Sequence, residues 1–118
     1  MNLIVATRTE NKHIRFEVDG RWQYGDALKL AYLMKSAQAR SSLALFLVDL
    51  RRVTSEPGSE EKFMVCDRLQ RVFQPPVRIA LIADATLIDS DTAAVVSPEV
   101  ARIGVFVRER EALAWLMM

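Results

Sequence analysis

One stretch of the sequence, Leu43–Leu50, constrains the fold more than any other. It reads Leu-Ala-Leu-Phe-Leu-Val-Asp-Leu and is apolar at every position except Asp49. A strand with one face in water alternates apolar and polar residues, whereas a strand covered on both faces is apolar almost throughout. We therefore expect Leu43–Leu50 to be a central strand, and Val77–Ala83 predicts a second buried strand.

The first part of the chain predicts a β-hairpin. Leu3–Thr7 is rich in apolar and β-branched residues, which favours a strand. From His13 to Val18 apolar and polar residues alternate, as in a strand with one wet face. The polar residues Thr9–Asn11 suit the turn between them, and Ile103–Val107 predicts a last strand.

Helix signals separate the later strands. Asp26 is expected to cap a first helix that runs to about Gln38. After a polar loop over residues 51–58, Ser59 is expected to cap a second helix, which Pro75–Pro76 ends.

Two further helices complete the predicted order. A short helix is expected to be capped within residues 89–91 and to run through Val96, and a closing helix covers Glu109–Met117. The α/β order is therefore β-β-α-β-α-β-α-β-α, a mixed sheet that is parallel apart from its opening hairpin. The apolar periodicity predicts a core of Ile14, Phe16, Leu30, Met34, Leu45, Leu47, Val65, Leu69, Ile79, Leu81, Val105, Phe106 and Trp115.

Length and composition bound the classes of protein to consider. A chain of 118 residues fits one domain, over residues 1–118, with a core of its own. A net charge of +1 argues against a general nucleic-acid binder. Apolar runs are too short for a transmembrane segment, and a signal peptide is not expected at the N-terminus. Cys66 is the single cysteine, so an internal disulfide is excluded and a cytoplasmic location is the simplest expectation.

Four segments carry a resemblance that spans almost the whole chain. They are Phe16–Trp22, Leu47–Thr54, Val77–Ala80 and Val105–Leu116, and the last of them ends in the sequence Glu-Ala-Leu-Ala-Trp-Leu. Their order along the chain and their residue patterns resemble the STAS domain family (sulfate transporter and anti-sigma factor antagonist), in particular its small bacterial SpoIIAA-like branch.

The resemblance implies a mixed sheet with helices mainly on one face, and a function that is not catalytic. It implies protein docking, in some members switched by serine phosphorylation, and in others small-ligand or lipid-surface binding. Members with the switch carry an Asp-Ser-Ser-Gly-like run before the second helix. The corresponding stretch here is Glu56–Ser59, which keeps only Ser59 and so weakens the case for a phosphorylation switch.

Residues suited to catalysis or to metal binding are sparse. His13 is the single histidine and has no partner at a metal-ligand spacing. Cys66 falls on an apolar helical stripe, where a buried inert thiol is expected. Asp84, Asp89 and Asp91 lack the spacing of an EF-hand loop and are explained by turns and caps. We therefore expect no enzyme, no cofactor and no metal site.

A candidate binding surface follows the central strand. In open α/β sheets ligands bind beyond the carboxyl ends of the strands, and two arginines beside a helix N-terminus create a local positive field. Asp49 is expected first to bond the amides of the following turn, Ser59 alone to act as a cap, and Trp22 with Tyr24 to cover the core rather than to bind. The predicted surface consists of Asp49, Arg51, Arg52, Thr54, Ser55 and Ser59.

The leading functional hypothesis is a protein-interaction module, and the alternative is a carrier of a small apolar or lipid-like ligand. An exposed apolar patch around the second helix would favour the first, and a closed apolar cavity the second. The run Trp115–Met118 predicts self-association, with a homodimer as the commonest form. The alternative for its two methionines is packing against the first helix.

Overall fold

A single five-stranded sheet organises the fold. The computed structural model describes residues 3–55, 62–74, 76–89 and 102–118. The strands are β1 (Leu3–Thr9), β2 (Ile14–Arg21), β3 (Leu45–Thr54), β4 (Arg78–Ile82) and β5 (Arg102–Phe106), and they lie in the order β1-β2-β3-β4-β5. β1 runs antiparallel to β2, and every other neighbouring pair is parallel. The predicted mixed sheet with an opening hairpin is confirmed.

Helices cover both faces of the sheet. The helices are α1 (Asp26–Ser41), α2 (Val65–Val72) and α3 (Glu109–Leu116), and a short 3-10 turn lies at Ala85–Leu87. α1 and α2 pack on one face, where Phe16, Val48 and Leu81 meet Met34 and Leu69 in the larger core. α3 packs on the opposite face and forms the smaller core of Leu47, Ala80, Ile82, Ala112 and Leu116. Two of the three described helices thus share a face, and β3 is covered on both sides as its apolar run predicts.

Most of the predicted core is buried. Leu45, Val105, Phe106 and Trp115 are the exceptions, because they lie on the α3 side or at the edge strand β5 and stay partly exposed. The rings of Phe106 and Trp115 contact each other with centroids 5.4 Å apart. The fully buried members are Ile14, Phe16, Leu30, Met34, Leu47, Val65, Leu69, Ile79 and Leu81.

β3 is longer than expected, so the predicted loop over residues 51–58 is wrong for residues 51–54. Within this stretch, residues 52–54 pair with the end of β2, with Val53 opposite Gly20. A β-bulge precedes them, because Glu17 lies opposite Asp49 whereas Asp19 lies opposite Arg52, which adds one residue to β3. In a regular strand, residues three apart face opposite sides of the sheet. Because of the extra residue in the bulge, the side chains of Leu50 and Val53 both lie on the face of the larger core.

α2 begins at Val65, so the prediction that it begins at Ser59 is wrong. Residues 62–64 are not helical, and Phe63 forms a parallel bridge with Ile88. Ser59 lies outside the described residues, as do Asp91 and the short helix predicted through Val96.

The caps of α1 and α2 also differ from expectation. The carboxylate of Asp89 accepts hydrogen bonds from the amides of Cys66 and Asp67, both at 2.9 Å, so it caps α2 rather than a later helix. Gly25, not Asp26, precedes α1, and its φ of 89° is a left-handed conformation that favours glycine. The buried Asp26 carboxylate accepts from the amide of Gln23 at 2.8 Å. None of the helices in the described ranges is long and apolar enough to cross a membrane.

Candidate functional site

An open groove lies at the carboxyl ends of β2 and β3. Its volume is about 330 Å³. Trp22 follows β2 directly and Ser55 follows β3 directly, so the pairing of these two strands brings both residues to the groove. This is the edge at which α/β sheets bind ligands and partners. The residues that shape it are Trp22, Tyr24, Leu28, Ser55, Phe63 and Met64.

Two stacked aromatic rings form the floor of the groove. The rings of Trp22 and Phe63 lie 4.9 Å apart between centroids and are inclined by 24°. The amide of Trp22 donates to the carbonyl oxygen of Thr54 at 2.8 Å, and the amide of Phe63 donates to that of Leu87 at 2.7 Å. Backbone bonds thus hold both rings in place, and Trp22 closes the larger core as predicted.

The rim of the groove is apolar and exposed. Tyr24 is 98 % exposed, Leu28 is 42 % exposed and Met64 is 43 % exposed. Leu28 belongs to the first turn of α1, and Met64 immediately precedes α2. Contiguous exposed apolar side chains of this kind mark interaction sites on soluble domains. Tyr24, which was expected to cover the core, lies on this rim instead.

Positive charge flanks the apolar rim. Lys62 and Arg68 line the groove. Of the acidic residues nearby in the described ranges, Asp26 and Asp89 are buried, and Asp67 forms ion pairs with both Arg68 and Arg71. The described part of the groove therefore presents cations beside apolar side chains.

Two predicted site residues belong to a different place, a charged cluster on the α3 side of the sheet. The cluster consists of Arg15, Glu17, Asp49, Arg51 and Glu109. Arg51 donates to Asp49 from Nε at 3.0 Å and from a terminal nitrogen at 2.8 Å. Arg15 lies 2.6 Å from a Glu109 carboxylate oxygen and 2.9 Å from one of Glu17. Asp49 and Arg51 thus tie β2, β3 and α3 together.

The surroundings of Asp49 favour its ionised form. Burial would raise the pKa of this carboxyl, but hydrogen bonds from the side chain and amide of Arg51 outweigh burial and hold the pKa below its usual value. The amide of Arg51 donates to Asp49 Oδ1 at 3.0 Å, which confirms the expected bond to the following backbone.

The remaining predicted residues lie along the end of β3. Arg52 is exposed opposite Asp19, and the Thr54 hydroxyl lies 3.5 Å from the carbonyl oxygen of Gly20. Ser55 lines the groove. The predicted surface is thus divided between the groove, the end of β3 and the charged cluster, while Ser59 is outside the described residues.

Sequence reasoning missed Leu28, Phe63 and Met64. The helical spacing of α1 places Leu28 at the margin of its apolar stripe, which predicts burial, whereas the residue is 42 % exposed. Phe63 and Met64 fall inside the predicted second helix, so the local pattern does not indicate that they precede it. They lie beside Trp22 because β2 pairs with β3 and because Phe63 forms the bridge to Ile88.

The described residues hold little that is suited to catalysis. They contain no group of three or more histidine, cysteine, aspartate or glutamate side chains that could hold a metal ion. Cys66 is buried, and burial together with the negative charge of Asp89 raises the pKa of its thiol to about 12. Such a thiol stays protonated near neutral pH and is a poor nucleophile.

Comparisons with solved structures find the same architecture over nearly the whole chain. A crystal structure of an anti-sigma factor antagonist from Mycobacterium paratuberculosis is 11 % identical, with a TM-score of 0.67 over 98 % of this chain and 95 % of that one. An uncharacterised protein of the DUF3478 family from Shewanella loihica, described as having a SpoIIAA-like fold, is 18 % identical, with a TM-score of 0.54 over 98 % of this chain and 93 % of that one. The fold is SpoIIAA-like.

At such low identities the similarity concerns the SpoIIAA-like fold alone. A scan against protein-family models finds no match, and a search of the curated proteins finds none either. The predicted architecture is confirmed, and function has to be argued from the groove.

Proposed function

We propose that this chain is a non-catalytic protein-interaction module whose partner docks on the groove. The observation that carries the proposal is the exposed apolar rim of Tyr24, Leu28 and Met64 around a concave site at the carboxyl edge of the sheet. The SpoIIAA-like fold supports it, since one solved structure with this fold is named an anti-sigma factor antagonist, a protein defined by its relation to another protein. A cytoplasmic location belongs to the same proposal.

The exposed end of β3 is proposed to extend this docking surface. Arg52 and Thr54 lead directly to Ser55 in the groove, and Ser59 follows in the same stretch of chain. Asp49 and Arg51 contribute only indirectly, because their side chains are engaged with one another and with α3.

A small apolar ligand is the second candidate occupant. The stacked floor of Trp22 and Phe63 and the volume of about 330 Å³ would suit part of such a molecule. The groove is open and its rim is exposed, however, which favours a protein surface over an enclosed ligand.

The test compares two substitutions of exposed apolar residues. Leu28→Asp places a charge on the rim, and Val107→Asp, at a residue 67 % exposed outside the groove, is the matched control. Proteins captured from the source cell by the wild type and by Val107→Asp should be lost with Leu28→Asp, while thermal unfolding shows that all three chains are folded. A partner retained equally by all three would show that the groove is not the docking site.

A further inference from the structure

The apolar rim continues along α1 beyond the groove. Leu28 and Tyr32 are one helical turn apart, and Tyr32 is 59 % exposed. The residues of α1 that the fold buries lie on other positions, including Leu30, Ala31 and Met34. The stripe formed by Tyr24, Leu28 and Tyr32 is therefore an apolar surface that the described residues leave exposed.

The same layer of the molecule is positively charged. The described segments 26–41 and 62–72 contain six basic residues and two acidic ones, a net charge of +4 in a chain whose total is +1. One of the two acidic residues, Asp26, is buried, and the other, Asp67, is shared by Arg68 and Arg71. Glu56, Glu60 and Glu61 lie outside the described residues and are not part of this count. Along the described residues of α1 and α2 the balance of charge is thus positive.

We propose that the partner segment is an acidic amphipathic helix that lies along the stripe and inserts one apolar side chain into the groove. The proposal rests on the docking function proposed above and names the chemistry of the partner. A helix that docks in a groove uses apolar residues at i, i+3 or i+4, and i+7, a spacing that matches Leu28 and Tyr32. Acidic residues beside those anchors would meet Lys62 and Arg68, and the complementary charge would speed association and select against basic segments.

The concave shape of the site favours a helical partner over an anionic membrane. Lipid headgroups would also meet the positive charge, and Tyr24 and Leu28 could enter their outer layer. A membrane surface is nearly flat at this scale, however, and leaves the floor of Trp22 and Phe63 unfilled. One side chain projecting from a helix can reach that floor.

The first experiment identifies the chemistry that the full-length chain selects. A display library of helix-length peptides of unbiased sequence is selected on the wild-type protein. Acidic peptides with apolar residues at helical spacing should be enriched. No enrichment, or enrichment of neutral, basic or non-helical sequences, would overturn the proposal.

The second experiment places the strongest selected peptide on the stripe. Its affinity should fall at least about tenfold with Lys62→Glu and with Tyr32→Lys, and it should weaken as salt is raised. Lys12→Glu, at an exposed lysine in the β1–β2 turn, is the matched control and should leave the affinity unchanged. An affinity insensitive to both Lys62→Glu and Tyr32→Lys would overturn the proposal.

Two further outcomes distinguish this inference from the proposed function. If native partners are lost with Leu28→Asp but not with Lys62→Glu, docking on the groove stands and the acidic helix is wrong. Vesicles of phosphatidylcholine and phosphatidylglycerol should not co-sediment with the protein. Co-sedimentation that depends on Tyr32 and Lys62 would identify a membrane as the occupant and overturn the proposal.

Discussion

Arg51 and Arg52 are adjacent in the sequence but have different surroundings. Arg51 contacts Asp49 through two side-chain hydrogen bonds and lies 3.5 Å from a Glu109 carboxylate oxygen. Arg52 is exposed opposite Asp19. Both side chains are exposed, and Arg51 in addition belongs to the charged cluster. Single substitutions of the two residues therefore report on different parts of the molecule.

Arg51→Glu should destabilise the fold by about 1 kcal/mol, because it removes the ion pair and places a third carboxylate beside Asp49 and Glu109. Since Arg51 is 48 % exposed, water screens this repulsion and limits its size. Arg52→Glu is the neighbouring control and should change the free energy of unfolding by less than about 0.5 kcal/mol. Urea unfolding checks both values, and equal values would contradict the described charged cluster.

The pH dependence of the same measurement has a defined sign. The pKa of Asp49 is lower in the folded chain than in the unfolded one. Its contribution to stability is therefore present above the unfolded value of about 4 and is lost as pH falls through the lower folded value. The difference in unfolding free energy between the wild type and Asp49→Asn should shrink over that acidic range. A difference that grows there would contradict the assignment.

α2 depends on a cap from a distant part of the chain. Asp89 follows Ile88, whose bridge to Phe63 brings the carboxylate to the first amides of α2. A negative charge at a helix N-terminus also interacts favourably with the helix dipole. The segment that begins α2 is therefore held by strand pairing and by Asp89 together, next to the groove.

Asp89→Ala should lower the free energy of unfolding by about 1–3 kcal/mol, because two amide donors at the start of α2, one of them in a buried hydrogen bond, lose their acceptor. Chemical denaturation measures the loss. Asp19→Ala, at an exposed strand position, is the control and should stay within about 0.5 kcal/mol of the wild type. If Asp89→Ala is as stable as this control, the carboxylate does not cap α2.

α3 is held at its C-terminal end by one arginine of β4. Arg78 donates to the carbonyl oxygens of Trp115 at 2.8 Å and Met118 at 3.1 Å. Its guanidinium also lies 4.3 Å from the centre of the Trp115 ring. A cation at the end of a helix satisfies carbonyl groups that have no partner within the helix.

Arg78→Met keeps most of the apolar stem and removes the charge, and it should cost about 1–3 kcal/mol. Amide exchange should accelerate in residues 113–118 more than in α1. Arg110→Met, at an exposed position of α3, serves as the matched control and should leave both properties close to those of the wild type. Uniform acceleration across the chain would mean that Arg78 does not act on α3 locally.

At the scale of the whole molecule, two of the places where the described residues leave apolar side chains exposed are far apart. One is the groove with its stripe, and the other is the end of α3, where Met118 is 87 % exposed. The carbonyl of Met118 accepts from Arg78, which places this end beside β4 and on the face opposite α1. The alternative that both methionines pack against the first helix is therefore wrong.

Self-association through this second surface stays a prediction. Multi-angle light scattering of the full chain should show a dimer whose fraction rises with protein concentration. Met117→Ser combined with Met118→Ser should shift the equilibrium towards monomer, whereas Leu28→Asp should not. A monomer at the highest attainable concentration would refute self-association, and a dimer lost only with Leu28→Asp would place the interface at the groove.

Local pattern accounts for much of this fold. The alternation in β2, the continuous apolar run of β3 and the helical spacing of Leu30 and Met34 in α1 each predict both an element and its buried face. They succeed because secondary structure and burial depend on the period of apolar residues within a single segment. The boundaries at residues 51–54 and at the start of α2 were wrong, because strand pairing with β2 and the bridge to Ile88 outweigh local turn and cap signals.

The sequence alone therefore established the α/β class, the strand order along the chain and the expectation of binding rather than catalysis. Strand pairing and helix packing created the groove, which joins the end of β2, the start of α1 and the residues before α2. The same packing brought Asp89 to α2 and Glu109 to Arg51. These contacts unite residues that are far apart in the chain, and their energies depend on three-dimensional placement that no single segment encodes.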